Sequence, residues 1–301
     1  MDEIIEVKQA EMLQAINRSE VDMQIATAKQ YPRDLPTVLN KIETYATMDT
    51  ETAEDCFYAL RRQGADGEAQ AIEGLSVRMA EIIASAWGNL RVQTRIIGND
   101  GRFITAQGVC HDLETNVAVS KEVKRRITTR AGRTFSDDMQ VVTGNAAASI
   151  AFRNAVLAVV PKAVTKKVIA SVKQVAMGKA IDLETSRQNA IANYAKAGVT
   201  EQMLFEYLGI TKKEQIDKEM VFELKALWNA IKEGTTSVQE TFVKPQQEKN
   251  AAAEAQKKAE EAKAKAADSA KRSTAAKTAT APAPANVDPA TGEIFNNETK
   301  K

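Results

Sequence analysis

The segments RVQTRII (91–97), FITAQGVCH (103–111) and NVAVSKEVKR (116–125) decide the fold. They are joined by GNDG (98–101) and DLETN (112–116), loops so short and so rich in turn residues that the three segments read as neighbouring strands of an antiparallel meander. Alternation along the first strand sets Arg91, Gln93 and Arg95 on one face and Val92, Thr94 and Ile96 on the other, so one side of the sheet is polar and basic.

Helical patterns flank the meander. Ser76 is placed to cap a helix running toward Leu90, with Val77, Ala80, Ile83, Ala84 and Trp87 at the spacing of a buried face and Gly88 and Asn89 ending it. On the other side, Ser136 is placed to cap the next helix, with Asp137 and Asp138 in its first turn, acidic residues suited to the positive end of a helix dipole. That helix carries a run of small residues, GNAAASIAFRN (144–154), which lets it approach a sheet or a second helix closely, and Pro161 breaks it.

Farther out, Met12, Ile16 and Met23, then Val38, Ile42 and Tyr45, fit two amphipathic helices separated by the turn from Pro32 to Pro36. CFYAL (56–60) reads as a strand. Residues 180–242 are helical again, with Met203, Leu204, Tyr207 and Leu208, then Leu224, Leu227, Trp228 and Ile231, forming apolar stripes. After Phe242 the composition turns to Ala, Lys and Glu, then to Thr, Ala and Pro, and no core can form.

The predicted class is therefore α+β: a three-stranded antiparallel meander packed with helices, a helical C-terminal module and a disordered tail. The predicted divisions are an acidic helical region (1–54), an α+β core (55–179), a helical module (180–243) and a low-complexity tail (244–301). Near its end, Ile294 and Phe295 form a lone apolar pair, either a docking peg for a partner or an inert terminus.

Charge is distributed unevenly. Between Arg91 and Lys173 there are 14 Lys and Arg against 6 Asp and Glu, a net of +8 in a 301-residue chain whose total is +1. The first sixty residues carry 12 acids and 5 bases, a net of −7. A basic core inside a neutral chain points to a polyanionic partner.

Several classes of chemistry lack support. His111 is the single histidine, so a Cys–His or Ser–His pair would have to use it, and zinc sites with two histidines are excluded. Cys110 and His111 are neighbours in a strand and point to opposite faces. Neither a phosphate-binding Gly-x-x-x-x-Gly-Lys loop nor a dinucleotide fingerprint occurs. Asp112 and Glu114 are either solvated turn carboxylates or Mg²⁺ ligands, and the former is the simpler reading. Cys56 and Cys110 read as buried thiols of a reducing compartment, and no apolar run is long enough for a bilayer, so a soluble cytoplasmic protein with no enzymatic activity and no cofactor is expected.

What is present suits single-stranded nucleic acid: clustered cations for phosphates, aromatic rings for bases and a sheet to display both. The candidate contact residues are Arg91, Arg95, Lys121, Lys124, Arg125, Arg126, Arg130, Arg133, Arg153, Lys162, Lys166 and Lys167. Residues 121–133 form a basic arm, and Phe135 at its end is favoured over Phe103 and Phe152 as a stacking platform. Arg153, among small helical residues, reaches either a phosphate or a core carboxylate.

The order helix, meander, long helix, with AEIIASAWGNL (80–90), DLETN (112–116) and GNAAASIAFRNAVLAVVPK (144–162), resembles phage and prophage single-strand annealing proteins of the broad RecT, Redβ and Erf recombinase group. AGVTEQMLFEYLGI (197–210) and LWNAIKEG (227–234) are similar to the helical module that follows the core in several phage recombination proteins, and the resemblance covers about residues 55–242. It implies ATP-independent annealing of complementary strands by a ring or filament of identical subunits inside a bacterial host. It also implies a partner exonuclease and contact between the C-terminal region and a host single-strand-binding protein. The competing reading is a phage structural or scaffolding protein whose basic patch meets packaged DNA or an acidic partner.

Overall fold

The structure, a computed structural model, describes residues 2–63, 69–129, 131–178 and 183–243, together with Gln247 and Glu254. Arg130, Ile294 and Phe295 lie outside the described residues. The chain divides into two units, Met1–Val243 and Lys244–Lys301, and the elements below belong to the first.

Three helices open it: α1 (Asp2–Gln30), α2 (Leu35–Ala46) and α3 (Thr50–Asp55). Asp34 caps α2 by accepting from the Thr37 N–H at 3.0 Å, and Pro36 sits in the first turn, where an N–H is not needed. One face of α2 buries Val38, Ile42 and Ala46. The expected apolar face of α1 has no cover within the described residues: Met12 and Met23 are 61% and 66% exposed, and Ala28 near the helix end is buried. Asp49 caps the short α3, an element with too few residues to show a period in the sequence.

Cys56, expected in a strand, is the C-cap of α3, and the strand β1 begins one residue later (Phe57–Gln63). It pairs antiparallel with β2 (Ala69–Leu75), whose AQAIEGL alternates too weakly to be read as a strand. Gly74 lies opposite Tyr58, and a Cβ there would fall 2.5 Å from the Tyr58 ring, so only glycine leaves that ring room to lie across the strand. Ser76 then caps α4 (Val77–Trp87), accepting from the Met79 N–H at 3.2 Å. Its apolar face, Met79, Ala80, Ile83 and Trp87 included, joins α2, α3 and β1 in the main core.

The meander follows as predicted: β3 (Leu90–Asn99), β4 (Phe103–Asp112) and β5 (Val117–Arg126), in spatial order β3-β4-β5. A bulge at Ile97 shifts the β3–β4 register near the turn. Helix α5 (Asp137–Val159) covers one face of the sheet. Ile104 and Ala106 of the sheet, with Ile127 just after β5, meet Ala147 and Ala151 of the helix in a small apolar cluster. The approach is so close that a Cβ on Gly108 would lie 2.3 Å from the Ala151 carbonyl oxygen. Close packing is thus the work of the small-residue run.

Helix α5 ends at Val159, and α6 (Lys162–Ala176) starts after Pro161. Helices α7 (Leu183–Lys196), α8 (Glu201–Leu208) and α9 (Lys218–Lys232) gather Tyr194, Leu204, Leu224, Leu227 and Phe242 into a second cluster. These helices also join the core, because Phe222 of α9 meets Phe57 edge to face at 5.3 Å. Beside it, Arg61 of β1 grips Glu223 through Nε and Nη2 at 2.5 and 2.8 Å. Among the described residues no helix is long and apolar enough to cross a membrane.

Candidate nucleic-acid interface

Because α5 takes one face of the meander, alternation decides what the other face offers. Along β4, Ile104, Ala106, Gly108, Cys110 and Asp112 are buried, and Phe103, Thr105, Gln107, Val109 and His111 form the half-exposed opposite row. Register then assigns the neighbours. Arg91, Gln93 and Arg95 of β3 lie across from His111, Val109 and Gln107, and Arg126, Lys124, Glu122 and Ser120 of β5 lie across from Phe103, Thr105, Gln107 and Val109. The open face therefore presents Arg91, Arg95, Lys124 and Arg126 against the one carboxylate of Glu122.

Local bonds hold these groups. Arg95 Nε donates to Gln107 Oε1 at 2.9 Å, which leaves the rest of its guanidinium fork available above the sheet. Arg91 Nη1 donates to Gln24 Oε1 of α1 at 3.0 Å. The Asp100 carboxylate accepts from the Phe103 and Arg102 N–H groups at 2.6 and 2.9 Å. Those two backbone bonds hold its pKa below the ordinary carboxylate value and fix the β3–β4 turn. Two guanidinium groups lie near the Phe103 ring, Arg102 at 5.9 Å and Arg126 at 5.8 Å from its centroid.

This arrangement differs from the sequence reading at several residues. Phe135, favoured as a platform, packs against the small cluster of Ile104 and Ile127 on the covered side, and Phe103 is the aromatic ring on the open face. Arg102 was not among the expected contacts. The signal for Phe103 was present, since it alternates in step with Thr105 and Gln107. Arg125 falls on the α5 side and donates to the carbonyl oxygens of Gly234 and Thr235, so it ties the meander to the end of α9. Lys121 is also on that side in register, though exposed at the sheet edge.

Beyond β5 the chain does not continue as an extended arm. Thr128 bridges Thr134, and the Thr129 N–H donates to the Arg133 carbonyl at 2.8 Å, which closes a tight turn with Arg133 exposed on it. Arg153 is 6% exposed, lies 4.5 Å over the Tyr58 ring and has Glu233 at 3.8 Å, on the side of α5 away from the sheet. Of its two expected destinations, the carboxylate is the one present. Lys162, Lys166 and Lys167 are exposed on α6 and share no part of the meander's open face.

Asp112 and Glu114, weighed as metal ligands, belong to Arg33. Its Nη1 and Nη2 donate to the two Asp112 oxygens at 2.7 Å each, and its backbone N–H donates to Glu114 Oε1 at 2.9 Å. The guanidinium also stacks 4.9 Å over Trp87. Burial pushes the Asp112 pKa up, yet the Arg33 bonds and the Glu114 and Thr115 N–H groups outweigh it and hold the carboxyl below its ordinary value. Among the described residues no cluster of His, Cys, Asp and Glu is arranged to hold a metal ion.

Comparison of the chain with protein-family models, with curated proteins and with solved structures gives no match.

Proposed function

We propose that the protein binds single-stranded DNA on the open face of the meander and anneals complementary strands without a nucleotide cofactor, as an assembly of identical subunits in phage recombination. The observation that carries this reading is the pairing of Phe103, with Arg102 and Arg126 near its ring, with a row of cations that has Glu122 as its one carboxylate. A strand laid there meets phosphate partners along its backbone and a ring on which a base can stack. Annealing requires bases to stay readable by a second strand, and a shallow sheet that grips the backbone leaves them so.

About five phosphate contacts, from Arg91, Arg95, Arg102, Lys124 and Arg126, correspond to a fall in affinity of roughly 100-fold between ~50 and ~200 mM salt. Fluorescence anisotropy with a labelled oligothymidylate measures this directly. Absence of binding at ~50 mM salt, where the counterion term is most favourable, would remove the proposal.

A further inference from the structure

Helix α1 has two apolar faces, and the rest of the chain covers only one of them. Half-buried Val21 and Ile25 and buried Ala28 lie on the covered side. Met12, Ile16 and Met23 lie on the opposite side, 61%, 48% and 66% exposed. At 100° per residue these three form one stripe, about 16 Å long. Glu20 and Asp22 flank it on its two sides and Glu11 adjoins Met12. All three carboxylates are exposed, and none has a partner among the described residues.

The same chain carries a surface of opposite charge with room for such a stripe. Helix α6 holds four lysines and no carboxylate along 15 residues, about 22 Å. A cavity of about 380 Å³ lies between it, α5 and the β1–β2 hairpin, with Leu75, Leu157, Val160 and Ile169 in its walls. Of the cations that line it, Lys173 is paired with Glu73 and Arg153 faces Glu233, so Lys162 is the one without a partner among the described residues. Lys166 stands on the next row of α6 and Lys167 beyond it, both exposed and equally unpaired among the described residues. Ala163 and Ala170, exposed beside them, keep the ridge low enough for a second helix to approach.

We propose that the free stripe of α1 from one copy docks along α6 of a second copy, with Met12 and Ile16 in the apolar cavity and Glu11, Glu20 and Asp22 against Lys162, Lys166 and Lys167. Charge complementarity selects this occupant: the first sixty residues are net −7, and α6 is purely basic. A nucleic-acid strand would use the lysines and leave the apolar walls uncovered, whereas an amphipathic helix with Met and Ile anchors answers both. Within one copy both surfaces stay exposed, so each subunit offers one free helix and one free groove. Such a head-to-tail contact builds a ring or a filament. It specifies the self-association in the proposed function and is measured without DNA, so it can fail or hold independently of DNA binding.

Sedimentation velocity of the full chain over a wide concentration range at ~50 mM salt, where exposed charges are least screened, tests this. The wild type should associate as concentration rises, and less so at high salt. Two variants, Glu11→Lys/Glu20→Lys/Asp22→Lys and Lys162→Glu/Lys166→Glu/Lys167→Glu, should each stay monomeric with unchanged circular dichroism, since all six side chains are exposed. Mixed together they should associate again, because the basic helix of the first then meets the acidic groove of the second, and the acidic helix of the second meets the basic groove of the first. Restoration also shows that both variants are folded. A wild type that stays monomeric would leave the groove to another partner or to none and overturn the proposal. Association lost in the α1 variant but kept in the α6 variant would place the helix elsewhere on its neighbour, and it would overturn the proposal as surely as a mixture that does not associate.

Discussion

Arg33→Ala should be one of the most damaging single substitutions in the chain. Arg33 reaches across to the β4–β5 turn, where its fork meets both oxygens of Asp112 at 2.7 Å. The side chains of Arg33 and Asp112 are 12% and 6% exposed, so removing the guanidinium leaves a buried carboxylate with only the Glu114 and Thr115 N–H groups to support it. Breaking a buried pair on one side costs about 3–5 kcal/mol, and the lost stacking on Trp87 adds about 0.5 kcal/mol or more. A loss of about 4 kcal/mol is a large part of the ~5–15 kcal/mol that folded proteins of this kind possess. It corresponds to a fall in Tm of roughly 8–16 °C for a unit of this size.

Urea denaturation at neutral pH reads the loss, and pH gives it a signature. The Asp112 pKa is lower in the folded protein than in the unfolded chain, so its contribution is present above the unfolded value and disappears as pH falls through the folded one. The gap between wild type and Arg33→Ala should therefore shrink as pH drops below about 4. Arg33→Lys, which keeps charge without the fork, should fall between the two. A neutral-pH difference under about 1 kcal/mol, the range of exposed pairs, would refute the reasoning, as would a gap that does not change in acid.

The remaining predictions concern packing and reactivity. Gly108→Ala should destabilise by about 1–3 kcal/mol or more, because its Cβ would meet the Ala151 carbonyl at 2.3 Å, and thermal melting should show it. Glu223→Leu should cost about 3 kcal/mol by stranding Arg61, and Arg61→Met in the same chain should restore part of it; a double-mutant cycle measures the coupling. Burial pushes the thiols of Cys56 and Cys110 up to about 12 and about 11, so the folded protein should resist N-ethylmaleimide at pH 8 and react once unfolded in urea, as read by mass spectrometry.

The meander was legible because its connections are short and its turn residues are local signals: GNDG and DLETN fix neighbour and register within a few residues. The caps at Ser76, Asp34 and Asp49 act over three residues, and at Ser76 the cap was readable in the sequence. By contrast, β2 depends on its partner, since Gly74 is explained only by the Tyr58 ring across from it. The Arg33 hub joins residues about 80 positions apart, and nothing local marks it.

On the candidate site, strand alternation was enough to separate Arg125 from Lys124 and Arg126, but reading 121–133 as one basic arm merged them. That matters for mutagenesis. A triple charge reversal at Lys124, Arg125 and Arg126 is not a clean test of DNA contact, because Arg125 anchors the carbonyls of Gly234 and Thr235. Likewise, counting Arg153 and Lys162 with the meander's cations joined two sides of α5 that the helix keeps apart.

The most direct test of the central claim is the rate at which complementary oligonucleotides anneal, without ATP, in the presence of wild-type protein and of a folded Lys124→Glu/Arg126→Glu variant. Faster annealing by the wild type, abolished in the variant while its circular dichroism and melting are unchanged, is the predicted result. No acceleration by the wild type, or equal acceleration by the variant, would contradict the assignment of the open meander face as the DNA-binding surface.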